Sequence, residues 1–332
     1  MSSEPSNSTV NRNYTEAELS SLEGVFSLEQ LSLLKVSGED SAKFLQGQLT
    51  CDISQVNEHR CLFGACCTPK GRMVSLFRIF RIDGDYFLIM DSEIVEAFQQ
   101  HLNKYIPFFK ARITDVSANY SLTGLSHSIT EITSEQDVEV DEHRRCQLAS
   151  SQVSVIGYSP QRWIIVAAKI LTKNEDPALN NFFENRAIHS TQQDWNYLNI
   201  MQKIPYLCKS SMEKFLPHEV GLPEIGGVSF KKGCYTGQEI IARMEFRGKL
   251  NKHPQILEPS SDHDLHNLTF PEPAETLQAI ENNKISSAGN LINIQQNTAS
   301  ETLLLASLKD SWTEKGNFTL NAEIPTILKV RK

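Results

Sequence analysis

Apolar positions along the chain change spacing several times, and each change marks a predicted element. Residues 31–36 alternate as a strand. Ser37 then serves as an N-cap with Asp40 three residues on, opening a helix through Phe44, Leu45 and Leu49. Strand-like runs at 60–68 and 72–81 are turned by Pro69-Lys70-Gly71, and Asp83-Gly84 is a hairpin signal leading into 86–90. Asp91 or Ser92 caps a helix whose apolar residues Ile94, Phe98, Leu102 and Tyr105 keep helical spacing, and a strand follows at 111–116. Helices mixed with antiparallel strands predict an α+β layer rather than a parallel βαβ winding.

The middle of the chain repeats the idea. Strands are predicted at 120–125, 153–158 and 163–168, interrupted by an acidic loop at 131–142. Helices are predicted at 177–187 and 192–201, the second capped by Ser190 or Thr191. Beyond His253 the texture changes to short strands separated by Asn, Gly and Pro, at 284–294, 302–308 and 318–329. This part reads as a small all-β barrel or sandwich, with 251–275 as a linker or its first irregular strand. The first twenty residues are polar and read as a flexible tail rather than a targeting segment. No apolar run approaches membrane-spanning length.

Composition narrows the class. A chain of 332 residues is too long for one small core and predicts two or three domains; 40% hydrophobic and 22% charged residues are globular values. The net charge of −8 argues against a general polyanion binder. One segment runs against it: 231–252 holds six basic residues (Lys231, Lys232, Arg243, Arg247, Lys249, Lys252) against Glu239 and Glu245, so it carries +4 and leaves −12 for the rest. The seven cysteines are odd in number and form no C-x-x-C pair, which fits reduced thiols in a cytoplasmic protein. Cys61, Cys66 and Cys67 invite a metal-cluster reading, but their strand setting favours buried packing cysteines.

The most informative stretch is KKGCYTGQEIIAR, residues 231–243. A short strand is predicted at 226–230, then a lysine loop, then a helix started near Thr236 by the T-x-x-E spacing of Thr236 and Glu239. Ile240, Ile241 and Met244 supply its buried face and Gly248 its C-terminal cap. Cys234 is thereby placed just ahead of a helix N-terminus, beside Lys231 and Lys232, and both effects favour a thiolate. A small buried packing residue beside a lysine-rich loop is the other reading. Gly233 and Gly237 permit close approach of a ligand or second domain. Spacing alone leaves both open.

The string from Phe215-Leu216-Pro217 through Lys232-Gly233-Cys234-Tyr235-Thr236-Gly237-Gln238-Glu239, then Ala242-Arg243 and Phe246-Arg247-Gly248, resembles the signature of the YgfZ family, folate-binding proteins associated with tRNA modification. The family is related in fold to the aminomethyltransferase T-protein of glycine cleavage. Gly38-Glu39-Asp40, the run from Phe44 to Asp52, and Lys70-Gly71-Arg72 resemble its early helix and hairpin, so the resemblance covers roughly residues 28–248. It implies a tail at 1–22, two plait-like α+β subdomains at 23–117 and 118–250, and a β-barrel at 251–332, set around a central opening. The implied role is support of iron–sulfur enzymes, including one that thiolates tRNA, by a monomer holding tetrahydrofolate or a derivative. Cys234 takes the place of the family's required cysteine, with Lys232, Tyr235, Gln238 and Glu239 around it in the string. Trp195 takes that of a tryptophan associated with folate, an indole being a suitable partner for a flat pterin. A tryptophan on the buried face of a helix is its bland reading. Arg243 and Arg247 are placed to meet a folate's glutamate tail.

Two positions depart from the pattern. Met201 stands where the T-protein carries a glutamate that helps to recognise the pterin, removing a charge-assisted contact. Leu31 stands where a stacking tryptophan is expected. The competing reading is a folate-dependent one-carbon transferase, disfavoured by Cys234 and Met201, both standing at acidic positions of that class. Direct tRNA binding through the +4 segment is disfavoured by the acidic chain. No Walker A, G-x-G-x-x-G, H-E-x-x-H or G-x-S-x-G string occurs. His263, Asp264 and His266 read as a solvated linker rather than a metal site.

Overall fold

The computed structural model describes residues 13–126, 145–147, 153–169, 189–248, 250–260, 271–281, 284–314, 317–320 and 327–331. The predicted acidic loop at 131–142, the helix at 177–187 and the His263–His266 cluster lie outside them.

The described chain opens with α1 (Glu16–Ser21) and β1 (Val25–Ser27). Then come β2 (Leu31–Ser37), α2 (Ser41–Gln48), β3 (Leu62–Cys67), β4 (Met73–Ile82), β5 (Asp85–Asp91), α3 (Val95–Leu102) and β6 (Arg112–Asp115). Strands β2 to β6 form an antiparallel sheet in the order β3-β4-β5-β2-β6. A second sheet gathers β7 (Tyr120–Ser126), β8 (Arg145–Gln147), β9 (Val153–Ser159), β10 (Arg162–Ala168) and β11 (His189–Ser190). Its order is β11-β1-β7-β10-β9-β8, so β1 crosses into it from ahead of the first sheet and pairs parallel with β11. The helices α4 (Gln192–Met201) and α5 (Gln238–Arg247) follow. The chain ends in a closed antiparallel barrel, β12-β15-β14-β13-β16-β17, built from β12 (Lys252–Pro259), β13 (Thr276–Glu281), β14 (Lys284–Gln296), β15 (Thr302–Lys309), β16 (Asn317–Thr319) and β17 (Leu328–Val330).

Period-two alternation explains how the barrel joins the rest. On β15, Leu304, Ala306 and Leu308 fill the barrel with Leu257, Leu277 and Phe318. Leu303 and Leu305 face the other way and, with Ile292, enter the large core shared by both sheets. That core holds Phe44, Phe77, Phe98, Trp195 and Tyr197. Both faces of β15 are therefore dry, and its near-continuous apolar run follows from that.

Several sequence expectations need correction. The supposed tail includes α1, closed by a capping box between Thr15 and Glu18, with Leu19 buried. Its polar residues have partners: the Glu16 carboxylate accepts from Tyr197 Oη at 2.9 Å and pairs with Arg331, and Tyr14 N donates to Thr298 Oγ1 at 2.8 Å. Ser37 ends β2 instead of capping α2, because Gly38 at φ +112° turns the chain under Lys110 before the helix begins at Ser41. The described residues of the run 318–329 fall mostly in two short antiparallel strands, β16 and β17. The segment 226–230 forms no strand, since Gly226 N and Gly227 N donate to the carbonyls of Pro223 and Leu222 while the Gly227 carbonyl and Ser229 N bond to Thr50 after α2.

Candidate functional site

The signature string is fastened, residue by residue, to the turn that follows α2. Thr50 Oγ1 donates to the Gly227 carbonyl at 2.6 Å and Ser229 N to the Thr50 carbonyl at 2.9 Å. Thr236 N donates to the Gly47 carbonyl at 3.1 Å and its hydroxyl to Gln48 Oε1 at 3.4 Å. Lys232 is buried, and its ammonium donates to the carbonyls of Leu49 and Cys51 at 2.8 and 2.7 Å. A cation is well placed at those carbonyls, the exposed end of α2. Burial nevertheless pushes the Lys232 ammonium down to about 8, the Cys51 thiol and Asp52 carboxylate pulling the other way. The Tyr235 ring lies 5.1 Å from the same ammonium and is buried, and burial raises its phenol.

Gly237 completes the dock. It sits at φ +85°, where a side chain is strained, and a Cβ there would lie 2.6 Å from the Thr68 carbonyl oxygen. The hairpin Thr68–Gly71 thus presses on the string, with Ile240 against Gly71. This overrides the predicted capping box: α5 begins at Gln238 behind a left-handed Gly237, with no side-chain cap. Ile241 alone is buried on that helix, while Ile240 and Met244 are half-buried.

Cys234 is exposed in this loop, between the buried Lys232 and Tyr235, and is the only exposed cysteine among those described. Both expected sources of positive field are displaced, since the helix begins four residues later and Lys232 turns inward. Lys231 remains exposed, as do Glu239, Arg243 and Arg247, which make no ion pair among the described residues; Gln238 is half-buried. Phe246 stands between the two arginines, 70% exposed. Cys66 and Cys67 in β3 and Cys61 just ahead of it are buried, as expected, and burial pushes Cys66 up to about 12.

Trp195 is in a different place. It is buried on α4, edge-on to Phe26 at 5.4 Å and tilted against Tyr158 at 5.1 Å. It is the buried helix-face tryptophan of the bland reading, and it also lines a narrow cleft of about 40 Å³ with Leu31, Phe63, Arg78, Asp91, Tyr158, Gln192, Asn199 and Tyr206. That space suits a few waters in this form. The Phe63–Tyr158 pair, 5.6 Å apart, divides it from a wider cleft of about 370 Å³ reaching Gln161, Gln202 and Glu224. Leu31 does border Trp195, whereas Met201 faces another cavity and leaves this cleft alone.

On the α4 residues that line this cleft there is an amide ladder. Gln192 and Asn199 both donate to Asn196 Oδ1, at 3.1 and 3.5 Å. This leaves Gln192 Oε1 and Asn199 Oδ1 buried without a partner on the wall of the cleft. Buried acceptors without donors are costly, and a ligand with N–H groups would satisfy them. Asp91, at the end of β5, is pushed up to about 6 by burial, against the backbone bond from Glu93. The sequence reading missed Asp91, Gln192 and Asn199. The signal for the amides was present as polar residues at 192, 196 and 199, helically spaced beside Trp195 on one buried face.

Two mixed α/β sheets closed by a small barrel define a T-protein-like fold. The solved structure of glycine cleavage system aminomethyltransferase T from Bartonella henselae is similar over 93% of this chain and 85% of its own, with a TM-score of 0.68 at 13% identity. Residues 9–158 match the GCVT N-terminal domain. The tRNA-modifying protein YgfZ of Enterobacter sp. (strain 638) is 31% identical over 225 residues, 68% of each chain. That of Shigella sonnei (strain Ss046) is 32% identical over 263 residues, 76% of each. This chain belongs to the YgfZ family. Among the described residues, no helix is long and apolar enough to cross a membrane.

Proposed function

We propose that this protein is a folate-linked accessory factor that maintains iron–sulfur enzymes, including one that thiolates tRNA, and that it acts through the Cys234 thiol. The observation that carries the reading is the contrast within one loop: Lys232 and Tyr235 are buried anchors, yet the sulfur between them is exposed. Six hydrogen bonds between 227–236 and 47–51 hold that loop, an investment suited to presenting a side chain at a fixed place. A reduced folate fits the Trp195 cleft chemically. The adjacent N–H donors of a pterin edge match the unsatisfied Gln192 Oε1 and Asn199 Oδ1, neutral acceptors on the wall of that cleft. Ring stacking on Trp195 or Phe63 supplies the apolar contact.

The test is complementation of a strain lacking the protein. Cys234→Ala and Cys234→Ser are expected to accumulate normally, since the site is exposed, and to leave thiolated tRNA low. Full restoration by either variant would end this reading. A second reading, a folate-dependent one-carbon transferase, is favoured by Asp91, a carboxyl held near 6 on the wall of the same cleft and so poised for proton transfer near neutral pH. Sustained release of methylene- or methyl-tetrahydrofolate from an amine donor, lost in Asp91→Asn, would replace the first reading by the second.

A further inference from the structure

We propose that Arg162 and the cavity beside it bind a small carboxylate with an apolar body, at a site separate from both the Cys234 loop and the Trp195 cleft. Arg162 is 2% exposed at the start of β10. Its Nε donates to Ser159 Oγ at 3.2 Å and Gln202 Oε1 at 3.1 Å, Nη2 to the same Gln202 oxygen at 2.8 Å, and Nη1 to the Trp195 carbonyl at 3.2 Å. The guanidinium also lies 4.5 Å from the Trp195 ring and 5.2 Å from that of Tyr158. Every one of these partners is formally neutral. No described carboxylate pairs with the cation, unlike Arg331, which has Glu16.

A buried charge of this kind is normally compensated, because desolvation costs several kcal/mol per ion. Burial pushes the guanidinium down to about 10, which is the same deficit seen from the proton's side. A guanidinium has five N–H bonds, and the contacts above occupy three, leaving one on each Nη. The adjoining cavity, about 150 Å³, is lined by Leu19, Ser20, Gln161, Leu198, Met201 and Gln202. Two N–H groups match the two oxygens of a carboxylate. The leucines and Met201 suit a hydrocarbon body. Phosphate is excluded on two grounds: the donors are few, and the cavity touches the C-terminal turn of α4, whose carbonyls disfavour a multiply charged anion.

Calorimetry with benzoate, its neutral isostere benzamide and inorganic phosphate tests the site on the full chain. Benzoate is expected to bind one to one, with benzamide and phosphate each at least tenfold weaker. Arg162→Met is expected to abolish the benzoate signal. Because that variant removes a buried side chain, Ser20→Phe provides a second arm: Ser20 is exposed at the rim, so the variant should keep the wild-type melting temperature and lose benzoate. Absence of benzoate binding to the wild type, equal binding of benzamide, tighter binding of phosphate, or unchanged benzoate affinity in a folded Ser20→Phe would each overturn the proposal.

Discussion

Lys232→Met separates two roles for the lysine beside Cys234, an anchor of the loop and a source of positive field at the sulfur. The structure favours the anchor, because the ammonium is spent on the carbonyls of Leu49 and Cys51. Depressing a lysine from 10.5 to about 8 costs the charged form about 3 kcal/mol. The sign follows from proton binding. Between pH 8 and 10.5 the unfolded chain holds the lysine proton more tightly, so the cost, fully present below pH 8, is relieved as pH rises through that window. Wild-type stability relative to Lys232→Met should thus increase by about 2–3 kcal/mol from pH 7 to pH 10. At pH 7 the two effects oppose: the variant leaves two buried carbonyls unsatisfied, at about 1–3 kcal/mol each, but no longer buries a charge. Urea unfolding of both proteins at several pH values measures the difference. Burial raises Cys51 and Cys66 to about 12, so both proteins lose stability at alkaline pH, and the loss largely cancels in the comparison. A difference that stays flat or shrinks with pH would show that the ammonium is not desolvated where the structure puts it.

Gly237→Ala forces a Cβ into the left-handed region and within 2.6 Å of a backbone oxygen, so it should destabilise the protein by about 2–4 kcal/mol and speed alkylation of Cys234 as the loop loosens. Denaturant midpoints and thiol kinetics check this, and an unaffected alanine variant would mean that the hairpin at Thr68 does not press on the string. Gln192→Leu should weaken tetrahydrofolate binding about five- to tenfold while leaving the melting temperature equal or higher, because an unsatisfied buried acceptor is removed. A fluorescence titration beside a thermal melt reads both, and unchanged affinity would remove Gln192 from the pterin contact.

How much of this was legible in the sequence depended on whether the deciding contacts were local. Strand β10 emerged as a short apolar run because both its faces are buried, helix α4 because a local cap at Thr191 opens it, and β15 because two cores meet on it. The string at 231–239 pointed to a thiol that is exposed, but it gave the wrong mechanics for its surroundings. Lys231 and Lys232 are identical letters, yet one is solvated and the other buried, and what decides between them is a pair of carbonyls at 49 and 51, some 180 positions earlier. Thr236 and Glu239 have the spacing of a cap, but Thr236 N and Oγ1 are already committed to Gly47 and Gln48, and Gly237 is held left-handed by the hairpin. A local rule fails where distant backbone competes for the same hydrogen bonds, and here that competition surrounds Cys234, the one exposed cysteine among those described. The mismatch between expected and observed capping falls on the loop proposed above to be functional, which is where a local rule is expected to give way to a contact between distant segments.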